Sequence, residues 1–336
     1  MDRLSLNLGG PHLFIKRDDC TGLATGGNKA RKLEFLMADA IAKRADVVIT
    51  QGAIQSNHAR QTAAIASKLN MKCALALEYR IESEDPLYLG SGNALLDRLY
   101  GAEISCFPNG SDMEAATHDL AEKYMALGQR PYVIPGGGSN PVGALGYVNC
   151  AFEIANQLKE QGLRIDCLVH ATGSGGTQAG LIVGFQMTKM KIPVLGISLS
   201  LPGPAQEEKV YDLVRQTSDY LGLKLTPPKT DVVVNSDYVG DGYEIPTAGM
   251  LNAIMMAARY ESILLDPIYT CKAMDALIDL VVNKHQFGKD ENILFLHTGG
   301  NVGLFGYTTY IAKLLTSDSP SELRGTHPVD SSSGRR

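Results

Sequence analysis

The stretch "DCLVHATGSGGTQAGL", residues 166–181, decides the architecture. It opens with a short apolar, β-prone run. Gly173, Gly175 and Gly176 follow, and a helix-forming run begins at Thr177. Strand, glycine turn and helix in direct succession form the unit from which helix-covered parallel sheets are built. Glycines let backbone N–H groups converge, and a helix start adds partial positive charge, so the turn suits a phosphate. The plainer reading is a tight turn with no ligand. No Lys-Ser/Thr pair follows the glycines, which excludes a P-loop. The glycine spacing also fails the dinucleotide pattern, and the next strand ends "GISLS" without an acidic residue for a ribose. One phosphate fits better than a dinucleotide.

The same alternation extends along the chain. Residues 46–50, 72–78, 131–135, 166–172, 192–198, 262–266 and 292–298 read as buried strands. Helical patterns lie between them at 58–69, 112–127, 142–160, 177–189, 248–260 and 271–285. Continuous apolar strands separated by helices predict an α/β protein with open, twisted, mostly parallel sheets. In such sheets ligands gather at the carboxyl ends of the strands. Five of these ends carry glycines, hydroxyls and amides and almost no charge: "QGAIQSNHARQ", "GGGSNPVGALGY", "GSGGTQAG", "PIYTCKAM" and "GGNVGLFGY".

A lysine completes the pattern. In "LATGGNKARKLEFLMADAIA" (23–42), with Asn28 as N-cap, Leu33, Leu36, Met37, Ala40 and Ile41 form one apolar stripe. Lys29 extends that stripe, whereas Arg31, Lys32, Glu34 and Asp39 point elsewhere. Lys29 either snorkels to water or is buried, and burial beside a helix start lowers an amine's proton affinity. A buried primary amine together with a one-phosphate site suggests pyridoxal phosphate bound through a Schiff base.

Other classes fit poorly. The chain has 336 residues, 44% apolar, and a net charge of −5 with mixed signs and no basic stripe, so nucleic acid is not an expected partner. No run reaches the roughly 20 apolar residues of a membrane helix, and no signal-like segment opens the chain. Six scattered cysteines without a CxxC pair, and seven histidines without an HExxH set, argue for reduced thiols and against a metal centre. A nucleotide-fold binding protein or oxidoreductase is the alternative of another class, and the missing ribose-binding acid speaks against it. Positions 316–336, rich in Ser, Pro, Gly and Arg, read as a disordered tail.

Six segments together, "KRDDCTGLATGGNKARKLEF", "QGAIQSNHARQTAA", "IPGGGSNPVGALGY", "ATGSGGTQAGL", "LLDPIYTCKAM" and "LHTGGNVGLFGY", resemble the tryptophan-synthase-β type (fold type II) of pyridoxal-phosphate enzymes. Within it they are similar to the branch holding ACC deaminases, D-cysteine desulfhydrases and L-cysteate sulfo-lyases. Relatives carry a further stretch before "LGGPHLFIKRDD" that this sequence lacks. The resemblance implies two domains, a larger one from 1–42 with 145–315 and a smaller one over 43–144. It also implies a cytoplasmic homodimer acting on a small amino acid. Lys29 would bond the cofactor and later shuttle the α-proton. Asn57 would hydrogen-bond the cofactor's phenolic oxygen, with Ser56 near the ring. Gly173, Ser174, Gly175, Gly176 and Thr177, with Thr172 beside them, would hold the phosphate. Thr270 or Thr298 would offer a hydroxyl to the pyridine nitrogen. Gln55, Ser56, Asn57 and His58 at a helix start would take the substrate carboxylate, and Tyr243, Tyr269 and Gly299 would flank the substrate. Plainer roles stand beside these: Asn57 as an N-cap, His58 as a structural residue, Tyr243 as a packed loop aromatic, Thr298 as a strand end.

Three reactions remain. ACC deaminases follow the tyrosine of "DPxY" with glutamate, whereas Thr270 follows Tyr269 here. D-cysteine desulfhydrases tend to place a bulky apolar residue before "GGNK", whereas "CTGLATGGNK" puts Thr21 and Thr25 near the lysine. Hydroxyls suit a sulfonate, so the expected reaction is β-elimination on L-cysteate to pyruvate, ammonia and sulfite. The alternative is D-cysteine, giving sulfide.

Overall fold

The computed structural model describes residues 1–81, 84–245 and 247–317. Among the described residues nine strands fall into two sheets, and every strand pairing is parallel. They are β1 (His12–Arg17), β2 (Val47–Ala53), β3 (Lys72–Glu78), β4 (Glu103–Phe107), β5 (Pro131–Ile134), β6 (Cys167–Thr172), β7 (Val194–Ser198), β8 (Val232–Asn235) and β9 (Asn292–His297). The larger sheet runs β1-β9-β6-β7-β8 and the smaller β4-β3-β2-β5. The chain thus begins in the larger sheet, builds the whole smaller one, and returns. Helices cover both sheets and bury Val169, Ile197 and Phe295 of the larger and Val48, Leu75 and Ile134 of the smaller.

Three strands escaped the sequence pattern: β1, β4 and β8. All three are sheet edges. An edge strand buries less of each residue, and β4 has no buried position at all, so the continuous apolar run is missing. The expected strand at 262–266 is not one. Ser262 takes a left-handed conformation (φ 56°) that ends the helix Ala248–Glu261, and the chain runs on without strand pairing to the helix Thr270–Val282. Ile263 and Leu265 are buried against the core, which explains the apolar signal.

The helix Lys29–Ala42 buries Leu33, Leu36, Met37 and Ala40 as expected, but two positions differ. Ile41, in the last turn, is 54% exposed. Lys32, expected to point to solvent, is buried. Of the expected tail, Thr316 and Ser317 belong to the helix Thr308–Ser317, and 318–336 lie outside the described residues. Among the described residues no helix is long and apolar enough to cross a membrane, and no group of three His, Cys, Asp or Glu could hold a metal.

Candidate active site

A cavity of about 280 Å³ is walled by residues from both sheets. Lys29 enters from the first turn of its helix, and the turn before it is built tightly. Gly26 and Gly27 have φ of 79° and 131°, and a Cβ on Gly26 would collide with the Asp19 carbonyl. The Thr21 hydroxyl donates to the Gly27 carbonyl and accepts from the Gly27 N–H, both at 2.9 Å. Asn28 carries no side-chain cap. Instead its carboxamide oxygen accepts from Lys29 Nζ (3.0 Å), and its amide nitrogen donates to Thr177 Oγ1 (3.3 Å). One asparagine therefore ties the lysine to the glycine turn. Burial lowers the Lys29 amine to a pKa of about 8, opposed by the nearby Asp266 carboxylate.

The glycine turn faces it at the carboxyl end of β6. Thr172, Gly173, Ser174, Gly175 and Thr177 line the cavity, and Gly176 lies just behind, its N–H donating to Ser139 Oγ (3.2 Å). A Cβ on Gly176 would come within 2.6 Å of Ser139 Oγ and 3.0 Å of Lys32 Nζ. Lys32, which the sequence reading missed, donates to the Gly137 carbonyl and to Ser139 Oγ, both at 3.0 Å. It stands as a buried amine behind the turn, its proton affinity lowered well below the ordinary value by burial and by the charge of Lys29. The only sequence signal for it was its place three residues beyond Lys29 on the same helix.

The smaller sheet supplies the opposite wall. Ser56 caps the helix Asn57–Lys68 by accepting from the Ala59 N–H (3.1 Å). Asn57 is not that cap. Its carboxamide oxygen accepts from Asn93 Nδ2 (3.0 Å), which leaves the NH₂ end to donate. Thr50 spends its hydroxyl proton on the Ile134 carbonyl (2.8 Å), so His58 Nε2, 2.8 Å from Thr50 Oγ1, is the donor between them. His58 Nδ1 is then a buried acceptor with no partner among the described residues. Burial, with the charges of Lys29 and Lys32, keeps this imidazole neutral. Tyr243 and Tyr269 close the cavity with their hydroxyls bonded to each other, and Thr298 and Gly299 line its floor.

Besides Gly176, three expected residues do not reach the cavity wall. Thr25 is exposed, and its hydroxyl accepts from Arg60 (3.1 Å). Gln55 is buried, donating to the carbonyls of Tyr88 and Ser91 and accepting from the Asn93 N–H. The Thr270 hydroxyl donates to Asp266 Oδ1 (2.6 Å) and accepts from the Asp266 N–H (2.8 Å), so it has no proton left to offer a ring. Of the two threonines, Thr298 is the one in the cavity. Conversely, Arg80 and Lys209 line the cavity unannounced.

A buried amine, a glycine turn with Gly175 at φ 88° and no room for a Cβ on Gly176, and a cavity walled from both sheets suit an aldehyde-bearing aromatic phosphate. Residues 1–299 match the family described as pyridoxal-phosphate dependent enzyme, and the chain belongs to that family. It is a pyridoxal-phosphate enzyme of fold type II. It is 44% identical to the D-cysteine desulfhydrase of Klebsiella pneumoniae subsp. pneumoniae over 311 residues, 93% of each chain. It is likewise 44% identical to that of Serratia proteamaculans over 91% of this chain and 92% of the relative. Among solved structures it is similar to an ACC deaminase homologue, with TM-score 0.84, 38% identity, and coverage of 94% and 92%.

Proposed function

We propose that this chain is a β-eliminating carbon–sulfur lyase that converts D-cysteine and water to pyruvate, ammonia and hydrogen sulfide. The observation that supports it best is the 44% identity to D-cysteine desulfhydrases over more than nine-tenths of both chains. The hydroxyl argument for L-cysteate loses its footing, because Thr21 spends its hydroxyl on the Gly27 backbone and Thr25 is exposed outside the cavity wall. L-cysteate stays as a second reading for a different reason, the presence of Arg80 and Lys209 in the wall.

Bound pyridoxal phosphate supplies an aldehyde carbon and an electron-withdrawing ring. In this proposal the residues 173–177 hold its phosphate, Thr298 offers a hydroxyl to its ring nitrogen, and the Asn57 NH₂ donates to its phenolic oxygen. Lys29 Nζ, uncharged above about pH 8, would be the nitrogen that holds the aldehyde carbon, and it would also be the base for the proton on the substrate's Cα. The helix start at Ser56 and Asn57 binds the carboxylate. The paired phenols of Tyr243 and Tyr269 hold a proton for the departing sulfur. The same proposal keeps the division into 1–42 with 145–315 and 43–144, the homodimer and the cytoplasmic site of action.

The test is product analysis on D-cysteine, L-cysteine, L-cysteate and the cyclopropane amino acid. Sulfide released fastest from D-cysteine is expected. Faster sulfite from L-cysteate would move the assignment to the second reading. Ring opening without sulfide or sulfite would remove the lyase altogether.

A further inference from the structure

Two anionic groups, the cofactor's phosphate and the substrate's carboxylate, have been given partners in this cavity. The glycine turn serves a phosphate, and the helix start at Ser56 serves a carboxylate. Two cations in the wall are left over. Arg80 stands two residues beyond the end of β3. Its Nε donates to Glu78 Oε2 (2.8 Å), and its guanidinium carbon lies 4.8 Å from the centre of the Tyr243 ring, beside the phenol pair. Among the described residues no acceptor bonds its terminal nitrogens. Lys209 comes from the other side, on the helix Gly203–Tyr220 of the larger sheet, beside Gly175. Among the described residues no carboxylate bonds its ammonium. Burial lowers its proton affinity, and the positive charge of Arg80 across the cavity lowers it further. Tyr243, Glu78 and Glu244 hold the charge of Arg80 against burial, so the repulsion between the two cations falls on Lys209. An anion between them offsets that repulsion and gains charge-assisted hydrogen bonds.

We propose that Arg80 and Lys209 form an anion subsite for the substrate's β-substituent, so that the cavity admits amino acids carrying a sulfonate there as well as a thiol. The proposal rests on the lyase reading. A sulfonate offers three oxygens, enough to engage a guanidinium and an ammonium at once, whereas a neutral thiol engages neither strongly. Selection by this pair acts mainly on binding, because the charge is present before and after the carbon–sulfur bond breaks.

The variants Arg80→Met and Lys209→Met remove charge and keep most of the chain length, and Arg80→Lys restores charge without the fork. The pair predicts that each Met variant raises KM for L-cysteate about ten- to a hundred-fold, leaves its kcat within about threefold, and changes D-cysteine kinetics less than about threefold. Arg80→Lys should recover part of the loss. Equal losses on both substrates would overturn the subsite. So would cofactor loss from Lys209→Met, which would assign that lysine to the phosphate. Calorimetric titration of L-homocysteate, whose sulfonate is one carbon too far for β-elimination, reads the subsite without turnover. Tight binding weakened about tenfold or more in the variants supports the subsite even if the wild-type protein consumes neither substrate, an outcome that would sink only the lyase reading. No binding to the wild-type protein overturns the subsite.

Discussion

The two walls of the cavity are made differently. The wall from the larger sheet is mainly backbone: a glycine turn at the end of β6, backed by Ser139 and Lys32 and flanked by Lys209. The wall from the smaller sheet is side chain: Asn57, His58 and Arg80, with the phenols of Tyr243 and Tyr269 closing over them. Backbone donors cannot be mutated away, only displaced by adding atoms. Side-chain donors can be removed singly. The contrast suits a backbone turn that holds an unchanging phosphate opposite side chains that discriminate among substrates, with Lys209 beside the turn joining in that discrimination. Lys29 stands where the two meet, tied through Asn28 to Thr177.

The largest expected effect is at that junction. Lys29→Ala should lower kcat by about 10⁴-fold or more, because both the nucleophile and the base at Cα disappear. Steady-state turnover by the reconstituted variant checks it. On the turn after β5, packed against the backbone wall, Gly137→Val should cost at least about tenfold in cofactor retention measured by dialysis. Gly137 has φ 66°, and a Cβ there would collide with Ser174 Oγ of the turn. On the side-chain wall, Tyr269→Phe should lower kcat by about a hundredfold and leave retention of the cofactor unchanged. A retention loss as large as that of Gly137→Val would erase the distinction between the walls.

A pH experiment sharpens the role of the junction. Desolvation favours the uncharged form of Lys29, so the amine is protonated below about pH 8 and free above it. The rate at which the cofactor-free chain bonds pyridoxal phosphate should therefore climb through pH 8 and level off above it. A lysine at its ordinary value would leave the rate still climbing near pH 10. The same shift means that the folded cofactor-free chain binds fewer protons than the unfolded one between those values, so its stability gains from this group as pH rises there. The smallest effect belongs to Thr25→Val. Its exposed side chain lies outside the cavity wall, and activity on either sulfur substrate should stay within about threefold.

How much of this was legible in the sequence follows the same division. The glycine turn and Lys29 were readable because each is a local motif, a strand or a glycine pair running straight into a helix. Direction was harder to read than position. Gln55 and Asn57 are neighbours at one helix start, yet one bonds the backbone of Tyr88 and Ser91 and the other faces the cavity. Thr270 carries the expected hydroxyl but closes its own helix turn with Asp266. Arg80 and Lys209 were invisible for another reason. They lie 129 positions apart on elements of different sheets, and only the way the chain leaves the larger sheet and returns to it brings them to one cavity.

The central claim is that Lys29 carries the cofactor between these walls. The direct measurement is borohydride reduction of the chain loaded with pyridoxal phosphate, followed by peptide mapping of the trapped adduct. The account predicts a single modified lysine, Lys29, with the visible absorbance of the loaded protein lost in Lys29→Ala. Trapping on Lys32, Lys209 or Lys272 with Lys29 unmodified would contradict it.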